Sequence, residues 1–72
     1  MDAFNIAGKA GFEPLSLEFK KPDPRGAEYG NFILRPVGER FTITKVSCSG
    51  YAVYVITIDG VDQFRNWAAE NT

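Results

Sequence analysis

The chain changes between two hydrophobic periods, and those changes divide it into elements. Over residues 14–20, PLSLEFK, the apolar positions Leu15, Leu17 and Phe19 alternate with Ser16, Glu18 and Lys20. That period of two predicts one half-buried strand. The following KPDPRGAEYG holds Pro22, Pro24, Gly26 and Gly30 among charges. It predicts an exposed loop, because proline cannot donate a ladder hydrogen bond. NFILR is a short apolar run and a second strand. Pro36, Val37 and Gly38 then turn the chain, and ERFTITKVS alternates again.

Ser47-Cys48-Ser49-Gly50 predicts the next turn. With Ser49-Gly50 as a two-residue hairpin loop, the register of the two flanking strands is set. Phe41 lies opposite Ile58, Ile43 opposite Ile56 and Lys45 opposite Tyr54, all on one face. The other face carries Val46 opposite Val53, Thr44 opposite Val55, Thr42 opposite Thr57 and Cys48 opposite Tyr51. A side-chain period of two keeps each set on its own face even if the loop is lengthened evenly.

At Asp59-Gly60 the period changes to that of a helix. In VDQFRNWAAEN, Val61, Phe64, Trp67 and Ala68 fall within an arc of about 120°. Asp59 suits the N-cap, and Asp62 in the first turn suits the positive end of the helix dipole. Near the start of the chain, Asp2 can cap a short helix running to Lys9, with Gly11 as its terminator. The expected fold is a single α+β domain over residues 1–72. Its antiparallel meander has three to four strands, with the C-terminal helix across one face and a short N-terminal helix.

One helix covers one face. Phe41, Ile43, Ile56 and Ile58 are the bulkier set, so they belong under Phe64 and Trp67. The second face of the hairpin then presents Val46, Val53, Val55, Thr42, Thr44, Thr57 and Tyr51 to the outside. Such a patch approaches the roughly several hundred Å² that soluble monomers leave exposed. Three occupants fit it: the N-terminal helix through Phe4 and Ile6, a second copy of the chain, or another protein.

Composition narrows the chemistry. Among 72 residues there is no His, and Cys48 stands alone. The commonest general base is therefore missing, a disulfide within the chain is excluded, and a four-ligand zinc site has no donors. Cys48 has no base to ionise it and reads as a small turn residue. The carboxylate pairs Asp59 with Asp62 and Glu13 with Glu18 read as helix-start chemistry and as the solvent side of a strand. GKAG at 8–11 lacks the spacing of a phosphate loop and reads as a helix end. No enzyme, cofactor or metal is expected. A domain this small buries only about 60% of its unfolded surface, so a partner, self or other, is the remaining support unless local structure suffices.

Net charge is −1, but unevenly placed. The ends are mildly acidic, while the middle carries Lys20, Lys21, Arg25, Arg35, Arg40 and Lys45 against Asp23, Glu28 and Glu39. No apolar stretch spans a bilayer and the start lacks a signal-peptide pattern, which makes cytoplasmic the expected location. The leading expectation is a non-catalytic protein-binding module. It has the build of small inhibitors and adaptors encoded by phages and mobile elements, and homodimerisation is compatible with it. It docks through Tyr51, Val53, Val55, Val46, Thr44 and Thr42, with Tyr29, Arg25, Lys20, Lys21, Arg35, Arg40 and Lys45 as a basic rim. The alternative is a single-stranded nucleic-acid binder that stacks bases on Tyr51 and Tyr29 beside those cations.

Overall fold

A computed structural model describes the backbone of residues 3–71 and the side chains of residues 5–71. The elements are α1 (Ala3–Lys9), β1 (Glu13–Leu15), β2 (Glu18–Pro22), a 3₁₀ turn (Ala27–Tyr29), β3 (Asn31–Val37), β4 (Arg40–Val46), β5 (Ala52–Asp59) and α2 (Gly60–Glu70). The strands form one antiparallel sheet in chain order, β1-β2-β3-β4-β5. The fold is the expected α+β meander, with five strands.

The fifth strand comes from PLSLEFK, which is two strands and not one. Its alternation is interrupted at Ser16-Leu17, a two-residue turn that pairs Leu15 with Glu18 and Pro14 with Phe19. Ser16 takes a positive φ of 59°, the backbone such hairpin turns demand. Leu17 therefore projects from a turn tip, 90% exposed, and only Phe19 of the three apolar positions is buried. The predicted loop is also shorter than expected, since β2 continues through Lys21 and Pro22 opposite Phe32 and Asn31.

Helix α1 ends as its sequence suggests. Gly11 has φ 91°, the Phe12 N–H donates to the Ala7 carbonyl at 3.0 Å, and the Gly11 N–H donates to the Gly8 carbonyl at 3.0 Å. This double bond pattern closes a helix and drops Phe12 onto Ala7 inside the core. The predicted Asp2 cap lies outside the described residues.

Both helices pack on the same face of the sheet. The core joins Ala7 of α1 and Phe12 with Phe19, Phe32, Leu34, Phe41, Ile43 and Ile58 of the strands and Phe64 of α2. Phe64 stacks on Phe41 with centroids 4.8 Å apart, and Trp67 meets the Phe32 ring edge-on at 5.0 Å. The face of α2 is the predicted one, with Phe64 and Ala68 buried and Trp67 packed against the cluster. Its cap differs: Asp59 makes no side-chain cap bond and pairs instead with Arg40, 2.8 Å away. Gln63 reaches back to accept the Asp59 N–H at 3.3 Å.

Gly30 is required where β3 begins. It is buried with φ 93°, and a Cβ there would lie 1.9 Å from the Val46 carbonyl oxygen of β4. Only a residue without a side chain lets these two strand ends meet.

Candidate protein-binding surface

The register of β4 on β5 follows the prediction over most of its length. Phe41 faces Ile58, Thr42 faces Thr57, Ile43 faces Ile56, Thr44 faces Val55 and Lys45 faces Tyr54. Beyond Lys45 it shifts, and Val46 pairs with Ala52 rather than Val53. The hairpin loop is Cys48-Ser49-Gly50, closed by the Ser47 N–H donating to the Tyr51 carbonyl at 2.7 Å. An odd loop would put every β5 side chain on the wrong face. The extra residue Val53 absorbs that offset as a β-bulge. The predicted Val46–Val53 and Cys48–Tyr51 pairs are thereby corrected. Val53, 61% exposed, lines a recess of about 370 Å³ with Lys45, Tyr54 and Tyr29.

The outer face of the sheet is uncovered by either helix, because α1 packs beside Phe64 and not beneath the strands. Ile6 joins the helix-side core; the Phe4 side chain lies outside those described. Across the middle of the outer face runs the row Lys20, Ile33, Thr44 and Val55, fixed by successive strand pairs. Beside it lie Thr42 with Thr57 and Val46 with Ala52. Val55 is 58% exposed, whereas Thr42, Thr44 and Val46 are half-buried by their neighbours. Tyr51, 75% exposed at the hairpin tip, stands opposite Ser47 in the shifted register and one residue before the outward Ala52, so it does not keep its predicted place on the outer face. Ile33 belongs to this row and was not among the predicted residues. A register for β3 would have found it, since NFILR alone does not say which residues share a face.

The two edges of the sheet differ. Strand β1 has three residues, including Glu13 and Pro14, and a short, charged, proline-bearing edge resists pairing. Strand β5 has eight residues, and Ala52–Ile58 contains no charge, proline or glycine. Among the described residues β4 alone pairs with it. An antiparallel ladder alternates, so half of the β5 backbone N–H and C=O groups face away from β4.

The basic rim is largely neutralised within the fold. Lys45 is not part of a rim at all: its side chain is 6% exposed, on the core side of β4. There its ammonium pairs with Asp23 and stands 4.4 Å from the centroid of the Phe32 ring. Asp23, 2% exposed, also accepts Arg25 Nε and Nη2 at 3.1 Å each and the Arg25 N–H at 2.9 Å. The Arg25 guanidinium foremost, then Lys45 and the Arg25 N–H, hold the Asp23 carboxyl well below the usual carboxylate range. Burial opposes this and loses. Arg25 lies over the Tyr29 ring, 4.2 Å from its centroid. Arg35 pairs with Glu18, Arg40 with Asp59, and Lys21 Nζ donates to the Ala10 carbonyl at 2.9 Å. Lys20 remains on the outer face.

Asp23 is the residue that sequence reasoning missed. The signal was present, because the predicted register places the charge of Lys45 on the core face opposite Tyr54. A buried ammonium requires a carboxylate, and the predicted loop carries two.

Among the described residues, no helix is long and apolar enough to cross a membrane. Comparison with protein-family models, with curated proteins and with solved structures finds no match.

Proposed function

We propose that this domain is a non-catalytic protein-binding module, of the inhibitor or adaptor kind, acting in the cytoplasm and docking through the outer sheet face. One observation carries the proposal: both helices pack on one side, leaving the Ile33–Thr44–Val55 row uncovered, with the exposed Tyr51 at the adjoining hairpin tip. Flat β-branched side chains beside an exposed tyrosine suit the apolar centre and aromatic anchor of a protein interface. Lys20 and the Arg35–Glu18 pair supply a polar rim.

The single-stranded nucleic-acid reading has less support. Arg25, Arg35, Arg40 and Lys45 each sit in an ion pair within the chain. Tyr29 is already stacked on Arg25. Phosphate recognition needs cations that exchange counterions for phosphates, and these are compensated beforehand.

The test is a pull-down from host lysate, with and without nuclease, using wild type beside the double variant Tyr51→Ala/Thr44→Glu. A partner retained after nuclease and lost with the variant, while the variant keeps its circular dichroism spectrum, supports the proposal. Binding abolished by nuclease would replace it with the nucleic-acid reading.

A further inference from the structure

We propose that the β5 edge is a self-pairing site: two copies join antiparallel through β5 to make one continuous ten-stranded sheet. The inference rests on the protein-binding reading and names a second copy of the chain as a partner at its edge. Three features of the strand lead to it.

First, β5 is long and unprotected, whereas the opposite edge is blunted. Proteins protect edges with charge, proline, brevity or a bulge. Strand β1 has brevity, Glu13 and Pro14. Strand β5 has only the bulge at Val53, near the hairpin tip, leaving Tyr54 to Ile58 regular. The Asp59 end is closed off, because Gln63 takes the Asp59 N–H. That bond shows which way the ladder alternates: Asp59 points its N–H away from β4, and so do Thr57 and Val55 two and four residues earlier. These groups are the ones a new strand would meet.

Second, the pairing is self-compatible. In an antiparallel two-fold arrangement β5 meets itself reversed, and Ala52–Ile58 carries no charge to oppose its own image. The nearest charge, Asp59, is already paired with Arg40. Val55 and Thr57 then become cross-strand neighbours of β-branched residues, which pair favourably.

Third, the asymmetry of the edges dictates closure. Pairing β5 with β1 of another copy would be head-to-tail and would grow without limit. The brevity, Pro14 and Glu13 of β1 oppose that contact. Pairing β5 with β5 uses up the open edge in one step, so assembly stops at two. The two-fold axis sets both α2 helices on one side of the joined sheet and doubles the outer apolar row on the other.

The experiment is sedimentation of the purified protein over a wide concentration range, combined with amide hydrogen exchange. The wild type is expected to form dimers reversibly, with the Val55 and Thr57 amides protected at high concentration and released on dilution. Val55→Lys, a charge on the edge, should raise the dimer dissociation constant by at least about tenfold. Val55→Pro should do the same by removing an N–H that β4 does not use. Tyr51→Ala/Thr44→Glu should leave the dimer intact. A wild type that stays monomeric at the highest concentration overturns the inference, as does a dimer whose Val55 and Thr57 amides exchange freely. A monomer that still captures a nuclease-resistant partner through Tyr51 and Thr44 would overturn self-pairing alone.

Discussion

The Asp23 carboxylate shows how one residue can serve two elements. It lies between Pro22 and Pro24, yet its side chain is buried and holds both Lys45 of β4 and its near neighbour Arg25. Its folded pKa is depressed, so its contribution is fully present above the ordinary carboxylate range and is lost as pH falls through the folded value. Stability is therefore expected to be level around neutrality and to decline below about pH 4, as protonation releases the Lys45 and Arg25 contacts. Asp23→Asn leaves the Lys45 ammonium buried without its counter-charge, and should unfold at clearly lower urea than wild type at neutral pH. The gap between the two proteins should narrow as pH falls toward about pH 2, because acid does to wild type what the substitution has already done. Parallel urea titrations at several pH values check this, and a gap that widens in acid would show that Asp23 is not the titrating group. The buried Lys45 was legible from register alone, whereas its partner was not. Nothing local in PDPRG distinguishes a carboxylate that folds inward from one left in solvent.

Elements were legible where the period persisted and illegible where a turn imitated it. The β4–β5 hairpin carries six or more alternating positions on each strand, and its faces were read correctly from Phe41–Ile58 to Lys45–Tyr54 but not at the tip beyond. PLSLEFK offered only seven residues, and a two-residue turn preserves the alternation of Leu15, Leu17 and Phe19 while reversing the chain. Ser47-Cys48-Ser49-Gly50 likewise concealed an odd loop and a compensating bulge, which no count of apolar positions reveals. The β1–β2 turn makes its own prediction. Ser16 holds φ 59°, a region that favours glycine, and its side chain is exposed. Ser16→Gly should relieve local strain and stabilise the protein by about 0.5 kcal/mol, after allowing for the greater freedom of the unfolded chain. Thermal unfolding reads this as a rise of a few degrees. A fall would mean that the Ser16 side chain supports the turn.

At the scale of the molecule, the buried apolar core lies on one side of a single sheet. Phe12, Phe32, Phe41, Phe64 and Trp67 make a connected aromatic layer between strands and helices, and Phe64 touches three of the others. Which face formed this layer was legible, because the bulkier residues of β4 and β5 marked it. The position of α1 was not, since a helix of seven residues can reach either face and only its contacts decide. A chain of this length is expected to hold about 4–10 kcal/mol of stability. Phe64→Ala removes a fully buried ring at the centre of the layer and should cost about 3–5 kcal/mol. That is between about a third and all of the expected stability. Tyr51→Ala, at the exposed hairpin tip, should change stability by less than about 0.5 kcal/mol. Urea midpoints for the two variants thus separate the face that folds the protein from the face assigned to its partners. Comparable losses in both would mean that Tyr51 is buried in the folded protein and would overturn its assignment as an exposed anchor.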